Sequence, residues 1–350
     1  MCDSREVDKA EQRSVSYRTV QESAVLDRRQ EVQFQLGGEF IGEIQQVKVS
    51  SGFLLVVDRF VGQQVYLFDR NGLLVAKIGE KGQGPGEYIY PVAAPIIDGK
   101  IYIASIGTQR MEVFDLEGRY LRSFSLASLG VGMWRDITVD SQKRLYLLNP
   151  TRYTKYSIVV IDTSGQEINS FAPIEEDFKG VFDTFAPASA FFVDQSNRVY
   201  QVFNHKYQII VRDADGQLKQ VLRLHSPFYQ MPNYERALKV RGIQNEKEFR
   251  ATFTQVTGVY VVEPRILVVN LRNWKSTTEP IEVVEFWDFE GPFLARYQVP
   301  EGEQLMTVVA RQLVFKREGR VDARGIVQNP TLIFRQPNFD SLRNQAVHNP

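Results

Sequence analysis

Apolar residues occur in short runs separated by turn-forming residues, and one arrangement recurs five times. In each copy an apolar run ends on Asp, Gly follows three residues later, and a second run begins. The copies are "VYLFDRNGLLVAKIG", "MEVFDLEGRYLRSFS", "IVVIDTSGQEINSFA", "IIVRDADGQLKQVLR" and "VEFWDFEGPFLARYQ". Two strands joined by a tight turn that needs a residue with positive φ form a β-hairpin. The pattern therefore predicts five hairpins of the same construction.

The spacing of these hairpins indicates a repeat architecture. The repeated aspartates are 46, 47, 51 and 75 residues apart, and they are Asp69, Asp115, Asp162, Asp213 and Asp288. A further pair of strand-like runs precedes each copy, as in "VKVSSGFLLVVD" before the first. Four-stranded units with a period of about 40–50 residues are typical of β-propeller blades. We name the strands of a blade A to D, from the central channel outward.

A sixth unit, "MTVVARQLVFKR" with "TLIFR", contains only three strands. We predict that "VQFQL" (32–36) supplies the fourth, because an N-terminal strand in the last blade closes the ring and removes a free sheet edge. The sequence thus predicts an all-β, six-bladed β-propeller with four-stranded antiparallel blades. Residues 1–30 are assigned to a polar N-terminal tether, 31–340 to one propeller domain and 341–350 to a C-terminal tail.

The long interval between the fourth and fifth aspartates predicts an insertion at residues 226–255. Its segment "NYERALKVRG" contains helix formers and ends on Gly, which indicates a partly helical structure. Such an insertion could act as a lid, as a protein-docking arm or as a passive element packed on the blade edges. The sequence leaves these three interpretations open.

The glycine-rich stretch "GEKGQGPGEY" (79–88) is interpreted as a connection between blades. A phosphate-binding loop would lead into a helix and would carry Lys-Ser or Lys-Thr after its last glycine. Here the following residues, "IYPVAAPIIDGKIYIAS", have the character of strands. A nucleotide site is therefore not predicted.

The segment "IGEKGQGPGEYIYPVAAPIIDGKIYIASIGTQRMEVFDLEGRYLRSF" resembles the NHL repeat. The matching positions are Gly84, Pro85, Gly86, Glu87, Tyr88, Pro91, Asp98, Gly99, Tyr102, Ala104, Arg110, Val113, Phe114, Asp115 and Gly118. The whole chain resembles six-bladed propellers of the NHL-like or TolB-like type, which are common among bacterial envelope lipoproteins of unassigned activity. The resemblance is strong in the first two blades and fades toward the last.

Composition narrows the function classes further. The chain has 42 basic and 42 acidic residues, whereas nucleic-acid-binding domains usually carry a basic excess. No apolar run approaches the roughly 18 residues of a membrane span. The single cysteine excludes an intramolecular disulfide, and "MCDSREVDKAEQRS" resembles a lipoprotein cut at a lipidated cysteine, here Cys2. The alternative interpretation is an ordinary cytosolic N-terminus.

The B–C loops hold the predicted ligand site, because they lie around one mouth of the channel. Cationic and aromatic side chains in these loops could bind an anionic or sugar-like ligand. The predicted ligand-binding residues are Arg59, Arg110, Arg152, Tyr153, Lys206, Tyr207, Arg272 and Trp274. The competing interpretation is that these residues cap local turns or pair with a neighbouring blade.

An enzymatic function is weighed against this binding role. No G-x-S-x-G motif occurs, and only three histidines are present. A lactonase of the gluconolactonase type would need hard oxygen ligands for calcium, and the candidates are Asp58, Asn149, Asn204 and Asn270.

The sequence therefore predicts a monomeric, noncatalytic binding propeller at the bacterial cell envelope. Its partner would be a protein or a small anionic or sugar-like ligand, and no cofactor is expected apart from possible calcium. The alternatives are the calcium-assisted lactonase and a cytosolic protein-interaction scaffold.

Overall fold

The computed structural model describes residues 25–130, 132–148, 155–173, 188–203, 206–233, 235, 248–249, 251–274, 280–290, 292–319 and 329–348. It confirms the predicted all-β fold. Six four-stranded antiparallel sheets form the blades of a propeller. None of the helices in these ranges has the length and apolar character needed to cross a bilayer.

The first three blades follow the order of the chain. The N-terminal strand β1 (Leu26–Gln33) belongs to the last blade. Blade 1 contains β2 (Gln46–Ser50), β3 (Phe53–Asp58), β4 (Gln64–Asp69) and β5 (Leu74–Ile78). The short parallel pair β6 (Glu80–Lys81) and β7 (Glu87–Tyr88) lies in the link. Blade 2 contains β8 (Pro91–Ala93), β9 (Lys100–Ser105), β10 (Arg110–Asp115) and β11 (Tyr120–Ser125). Blade 3 contains β12 (Asp136–Val139), β13 (Leu145–Leu148), β14 (Tyr156–Ile161) and β15 (Glu167–Pro173).

The last three blades have the same strand order. Blade 4 contains β16 (Ala188–Val193), β17 (Val199–Phe203), β18 (Lys206–Arg212) and β19 (Leu218–Arg223). Blade 5 contains β20 (Gln255–Glu263), β21 (Ile266–Trp274), β22 (Pro280–Asp288) and β23 (Phe293–Gln298). Blade 6 contains β24 (Glu303–Val309), β25 (Gln312–Arg317), β26 (Thr331–Pro337) and β1.

The inner strands are largely apolar because both faces of each blade are buried. In β3, Leu54 and Val56 pack toward blade 6, whereas Leu55 and Val57 pack toward blade 2. Alternate side chains of a strand point to opposite faces of its sheet, so one strand contributes to two interfaces. Six buried apolar clusters in the described residues join consecutive blades, including the last to the first. These interfaces are the hydrophobic core of the ring.

The repeated Asp-x-x-Gly segments are the C–D turns, and they also contact the preceding blade. Asp115 Oδ1 accepts hydrogen bonds from the amides of Glu117 (3.1 Å) and Arg119 (2.8 Å). Gly118 has φ of 80°, and a Cβ at this residue would lie 2.7 Å from the carbonyl oxygen of Lys77 in blade 1. Glycine is therefore required both by the turn conformation and by the close approach of the neighbouring backbone.

The ring is closed by the N-terminal strand, as predicted, but the strand lies earlier in the sequence. β1 pairs with β26 over Leu26–Gln33, whereas the prediction was 32–36. Phe34 and Leu36 are buried in the interface of blades 6 and 1, and between them Gln35 exchanges backbone hydrogen bonds with the C–D turn of blade 1. The alternation of apolar and polar residues in "VQFQL" continues past the end of β1, because the following residues still lie between blades 6 and 1 and bury alternate side chains there.

Helix α1 (Phe339–His348) follows the last strand, in the region assigned to a C-terminal tail. Leu342 is fully buried in the cluster between blades 5 and 6, which holds the helix on the propeller. The Asn338 side chain caps the helix, since its Oδ1 accepts a hydrogen bond of 2.9 Å from the Ser341 amide. Asn338 also donates its amide proton to the Val25 carbonyl, so both ends of the described chain meet here.

A buried polar network joins blades 4 and 5. Glu285, in the middle of β22, accepts hydrogen bonds of 2.6 Å from the Tyr207 hydroxyl, the Ser226 hydroxyl and Nη2 of Arg296. The Trp287 indole donates to Glu285 Oε2 at 3.2 Å. Both carboxylate oxygens therefore have partners, which is what a charge without solvent contact requires. Burial and the charge of Glu285 raise the pKa of Tyr207 well above its ordinary value.

Blade 6 holds a second buried carboxylate, Glu303. Its Oε1 accepts from Arg317 at 2.6 Å and its Oε2 from Arg335 at 2.7 Å. Burial acts to raise the pKa of Glu303, but the hydrogen bonds and charges of the two arginines outweigh it, and the pKa is lowered. Strands A, B and C of this blade are thus fixed to one another by ionic contacts.

Candidate functional site

One face of the propeller carries the B–C loops and the links between blades, and we call it the channel-mouth face. The C–D and A–B turns lie on the other face. Strands β2 and β12 begin on the channel-mouth face, because Gln46 pairs with Val57 and Asp136 pairs with Leu148, near the ends of the B strands.

The B–C loops of blades 1 and 2 lie within the described residues, whereas that of blade 5 (275–279) lies outside them. The sequence-predicted loop residues Asn270, Arg272 and Trp274 lie in strand β21.

The predicted cations that the structure describes contact the protein itself. Arg59 donates to the carbonyl oxygens of Pro91 and Arg135, both at 3.1 Å. Arg110 donates to the Gly84 carbonyl at 2.6 Å and lies 2.8 Å from Glu112 Oε1. These guanidinium groups connect B–C loops to the links between blades. Burial lowers the pKa of Arg59, and the charge of Asp136 partly offsets this effect.

The other predicted ligand-binding residues are distributed differently. Tyr207 is buried in the Glu285 network and stacks on Tyr229, with 5.0 Å between ring centroids. Arg272 pairs with Glu282 through Nη2 at 2.8 Å, and Trp274 follows on the same strand. Arg152, Tyr153 and the side chain of Lys206 lie outside the described residues.

The candidate calcium ligands that the structure describes are hydrogen-bonded to protein groups. Asp58 is buried, and its Oδ2 accepts from the Gly42 amide at 2.7 Å while its Oδ1 accepts from the Val61 amide at 3.1 Å. Asn270 donates through Nδ2 to Thr257 Oγ1 at 2.7 Å. Asn149 and Asn204 lie outside the described residues. Within the described part of the chain, no three His, Cys, Asp or Glu side chains come together as a metal site would require.

Five exposed apolar residues lie on the channel-mouth face of blades 1 to 3. These residues, which we call the mouth patch, are Phe40, Phe60, Val61, Tyr90 and Met133. Phe60 is 58% exposed, and its ring centroid lies 6.0 Å from that of Tyr90. Three interblade links carry Phe40, Tyr90 and Met133, and the B–C loop of blade 1 carries Phe60 and Val61. Exposed apolar patches of this kind mark interaction surfaces in soluble proteins.

The mouth patch is held in a fixed conformation by buried polar groups. Asp58 anchors the loop that presents Val61 and also binds the link at Gly42. A Cβ at Gly42 would lie 2.4 Å from Val61 Cγ1, so only glycine lets the link pass so close. Tyr90 has φ of 54°, which is unfavourable for a bulky residue, and its amide donates to Gln63 Oε1 at 3.3 Å. Strained exposed residues of this kind are concentrated at functional sites.

The channel itself is lined by a cluster of polar side chains from blades 1, 3 and 5. Lys48 Nζ and Gln46 Nε2 both donate to Asp136 Oδ1, at 2.6 and 2.7 Å. Across the channel, burial and the negative charges of Asp136 and Glu282 raise the pKa of Tyr260. The Tyr260 ring folds back over its own strand, and a Cβ at Gly258 would lie 2.7 Å from it. This group ties blade 1 to blade 3 past the three-residue strand β8 of blade 2.

Two sets of residues were not identified from the sequence, although each carried a signal. The mouth patch consists of apolar residues in loops such as "DRFVGQQ" and "GVGMWRD", where solvent-exposed turns are usually polar. Glu112 and Glu285 both stand three residues before a repeated Asp, inside an otherwise apolar strand. A carboxylate in such a strand must be buried with a partner. Both signals are local and could be read without a structure.

The fold is similar to solved structures at low sequence identity. A candidate exported protein from Bacteroides fragilis shares 15% identity at a TM-score of 0.65, with 92% of this chain and 98% of that chain covered. A DUF4221 family member from Bacteroides vulgatus shares 11% identity at a TM-score of 0.60, with 90% and 97% covered. A virginiamycin B lyase from Staphylococcus aureus shares 10% identity at a TM-score of 0.52, with 88% and 99% covered.

These likenesses establish the six-bladed propeller fold. No curated protein matches the chain in sequence. Residues 39–260 match the profile of DUF4934, which is described as a domain of unknown function, and this range extends from the link before blade 1 into strand A of blade 5. The chain therefore belongs to the DUF4934 family.

Proposed function

We propose that this chain is a noncatalytic binding propeller of the bacterial cell envelope, and that it docks a protein partner on its channel-mouth face. The observation that carries the proposal is the mouth patch. Aromatic residues, methionine and arginine are enriched in the cores of protein interfaces, where side chains act as anchors if they are already held in position. Phe60 fits this description, since Arg59 Cζ lies 5.8 Å from the centroid of its ring. Tyr90 fits it as well, since its backbone amide is hydrogen-bonded to Gln63.

A location outside the cytoplasm is supported by the similar protein from Bacteroides fragilis, which is described as a candidate exported protein. We propose that the chain is held at the membrane surface by a lipid on Cys2, which lies outside the described residues. In cells that express the protein with an export signal, we expect it in the membrane fraction and the Cys2→Ser variant in the soluble fraction. Soluble behaviour of both proteins would contradict the anchor.

The docking proposal is tested by charge placed in the mouth patch. We expect Phe60→Asp to weaken partner binding about thirtyfold or more, because loss of a hot-spot aromatic costs about 2 kcal/mol or more. The protein and its variant would be used to purify the partner from envelope extracts of the native bacterium, followed by titration of the purified pair. Folding should be retained, because the side chain is largely exposed.

Leu218→Asp is the matched control. Leu218 is 56% exposed, close to the 58% of Phe60, but it lies in strand D of blade 4, away from the channel mouth. The control variant should bind the partner as tightly as the unmodified protein. Equal binding by both variants would show that the partner does not use the mouth patch.

A further inference from the structure

A second group of polar residues on the channel-mouth face lies in blade 5. Asn270, Arg272 and Trp274 are two residues apart along β21, so their side chains lie on the same face of the sheet. Glu282 pairs with Arg272 across the neighbouring strand and therefore shares that face. We call these four residues the blade 5 stripe. It leads to the end of the strand, where the Trp274 side chain is half-buried.

The hydrogen bonds of Asn270 fix the orientation of its amide. Nδ2 donates to Glu282 Oε1 at 2.9 Å and to Thr257 Oγ1 at 2.7 Å. An ionised carboxylate only accepts hydrogen bonds, so the nitrogen must face Glu282 and the oxygen must point away. Asn270 is only 1% exposed, and its Oδ1 has no hydrogen-bond partner. A buried acceptor without a partner is uncommon in a native protein and requires an explanation.

Trp274 and Arg272 differ in whether their side-chain donors already have hydrogen-bond partners. Trp274 Nε1 is also buried without a hydrogen-bond partner. Arg272, by contrast, is already paired with Glu282 Oε2 through Nε (3.1 Å) and Nη2 (2.8 Å). The stripe therefore offers one free acceptor and one free donor, while its positive charge is neutralised within the protein.

We propose that the blade 5 stripe binds a neutral ligand that carries hydroxyl groups, such as a sugar. A hydroxyl both donates and accepts, so one hydroxyl of such a ligand can donate to Asn270 Oδ1 and another can accept from Trp274 Nε1. A carboxylate group has no proton to donate to Asn270 Oδ1, and the cation of the stripe, Arg272, is already paired with Glu282. This inference narrows the ligand class predicted from the sequence, and it does not depend on the docking of a protein at the mouth patch.

The test follows the indole N–H signals of the full chain by ¹⁵N NMR. The chain has three tryptophans, so replacing each by Phe assigns each signal. The probes are two matched pairs, glucose with glucuronate and galactose with galacturonate, which differ by one carboxylate. We expect a neutral sugar of at least one pair to shift the Trp274 signal saturably and its acid to act more weakly. The proposal is overturned if only the acids shift the signal, or if no probe does so up to its solubility limit.

Two variants separate binding from folding. Trp274→Phe replaces the indole by a smaller aromatic ring and removes the unused N–H. We expect the variant to remain folded, as its melting temperature would show, and to bind sugar about two- to tenfold more weakly, measured by calorimetry. Trp134→Phe removes an N–H that is likewise buried without a partner, but in the interface of blades 2 and 3. It should bind sugar as the unmodified chain does. Equal affinity in both variants would mean that Trp274 does not contact the ligand.

Discussion

Replacement of Phe34 by Ala is expected to destabilise the protein by about 3–5 kcal/mol, because it opens a cavity where the ring closes. Phe34 is 1% exposed, and its ring centroid lies 4.4 Å from that of Phe68 in blade 1. Phe34 lies in the link between β1 and β2, which passes between blades 6 and 1 at this point, so no described residue of another blade supplies an equivalent contact. The free energy of unfolding, measured in urea, checks the prediction.

Phe40→Ala is the matched control for this experiment. Phe40 belongs to the same link but is 63% exposed, so the change in the free energy of unfolding should stay within about 0.5 kcal/mol. Its backbone carbonyl, which accepts the Tyr66 hydroxyl at 2.9 Å, is retained in the variant. If the two variants were equally stable, the closure between blades 6 and 1 would not contribute as described.

Replacement of Glu285 by Ala is expected to have an effect of similar size. The substitution leaves the buried Arg296 without the carboxylate it pairs with, and breaking a buried ion pair from one side costs about 3–5 kcal/mol. The hydroxyl of Tyr207 loses its acceptor in the same step. Of the network formed by the described residues, only the hydrogen bonds from the Trp287 indole to the Tyr207 hydroxyl (3.2 Å) and from Arg296 Nη2 to Ser226 Oγ (2.9 Å) are independent of Glu285. Urea denaturation again measures the change.

The control is Glu290→Ala in the same blade. Glu290 pairs with Arg265 at 2.9 Å, but both side chains are largely exposed, so the loss should be about 0–1 kcal/mol. A large loss in Glu290→Ala, or a small one in Glu285→Ala, would contradict the view that burial determines the importance of these carboxylates.

The repeat architecture could be predicted from the sequence because its causes are local. The Asp-x-x-Gly turns need a carboxylate to accept two amides and a glycine at positive φ, as at Asp115 and Gly118. The spacing of these turns, about 40–50 residues, indicated four strands per blade and thereby their order from A to D. The boundaries of β1 could not be predicted, because Phe34 and Leu36 continue the apolar alternation beyond the strand.

The candidate site was harder to predict because it depends on contacts between blades. Arginine is the residue type expected in an anion-binding site. In the structure, however, Arg59 and Arg110 donate hydrogen bonds to backbone carbonyl groups of links between blades. Loop composition cannot reveal such partners. Conversely, the sequence predicted Asn270 as a calcium ligand and Trp274 as an aromatic ligand-binding residue, and only the structure shows that each retains an unused hydrogen-bonding atom.

A cross-linking map of the propeller surface tests the proposed docking most directly. A photoreactive amino acid would be placed in the mouth patch, at positions 60, 90 and 133, and on the outer strands, at positions 75, 168 and 218. All six native residues are exposed, so each variant should fold. In native envelope preparations, the three mouth positions should form adducts with the same protein, and the three outer positions should not. Adducts confined to the outer strands, or spread evenly over all six positions, would contradict binding at the channel-mouth face.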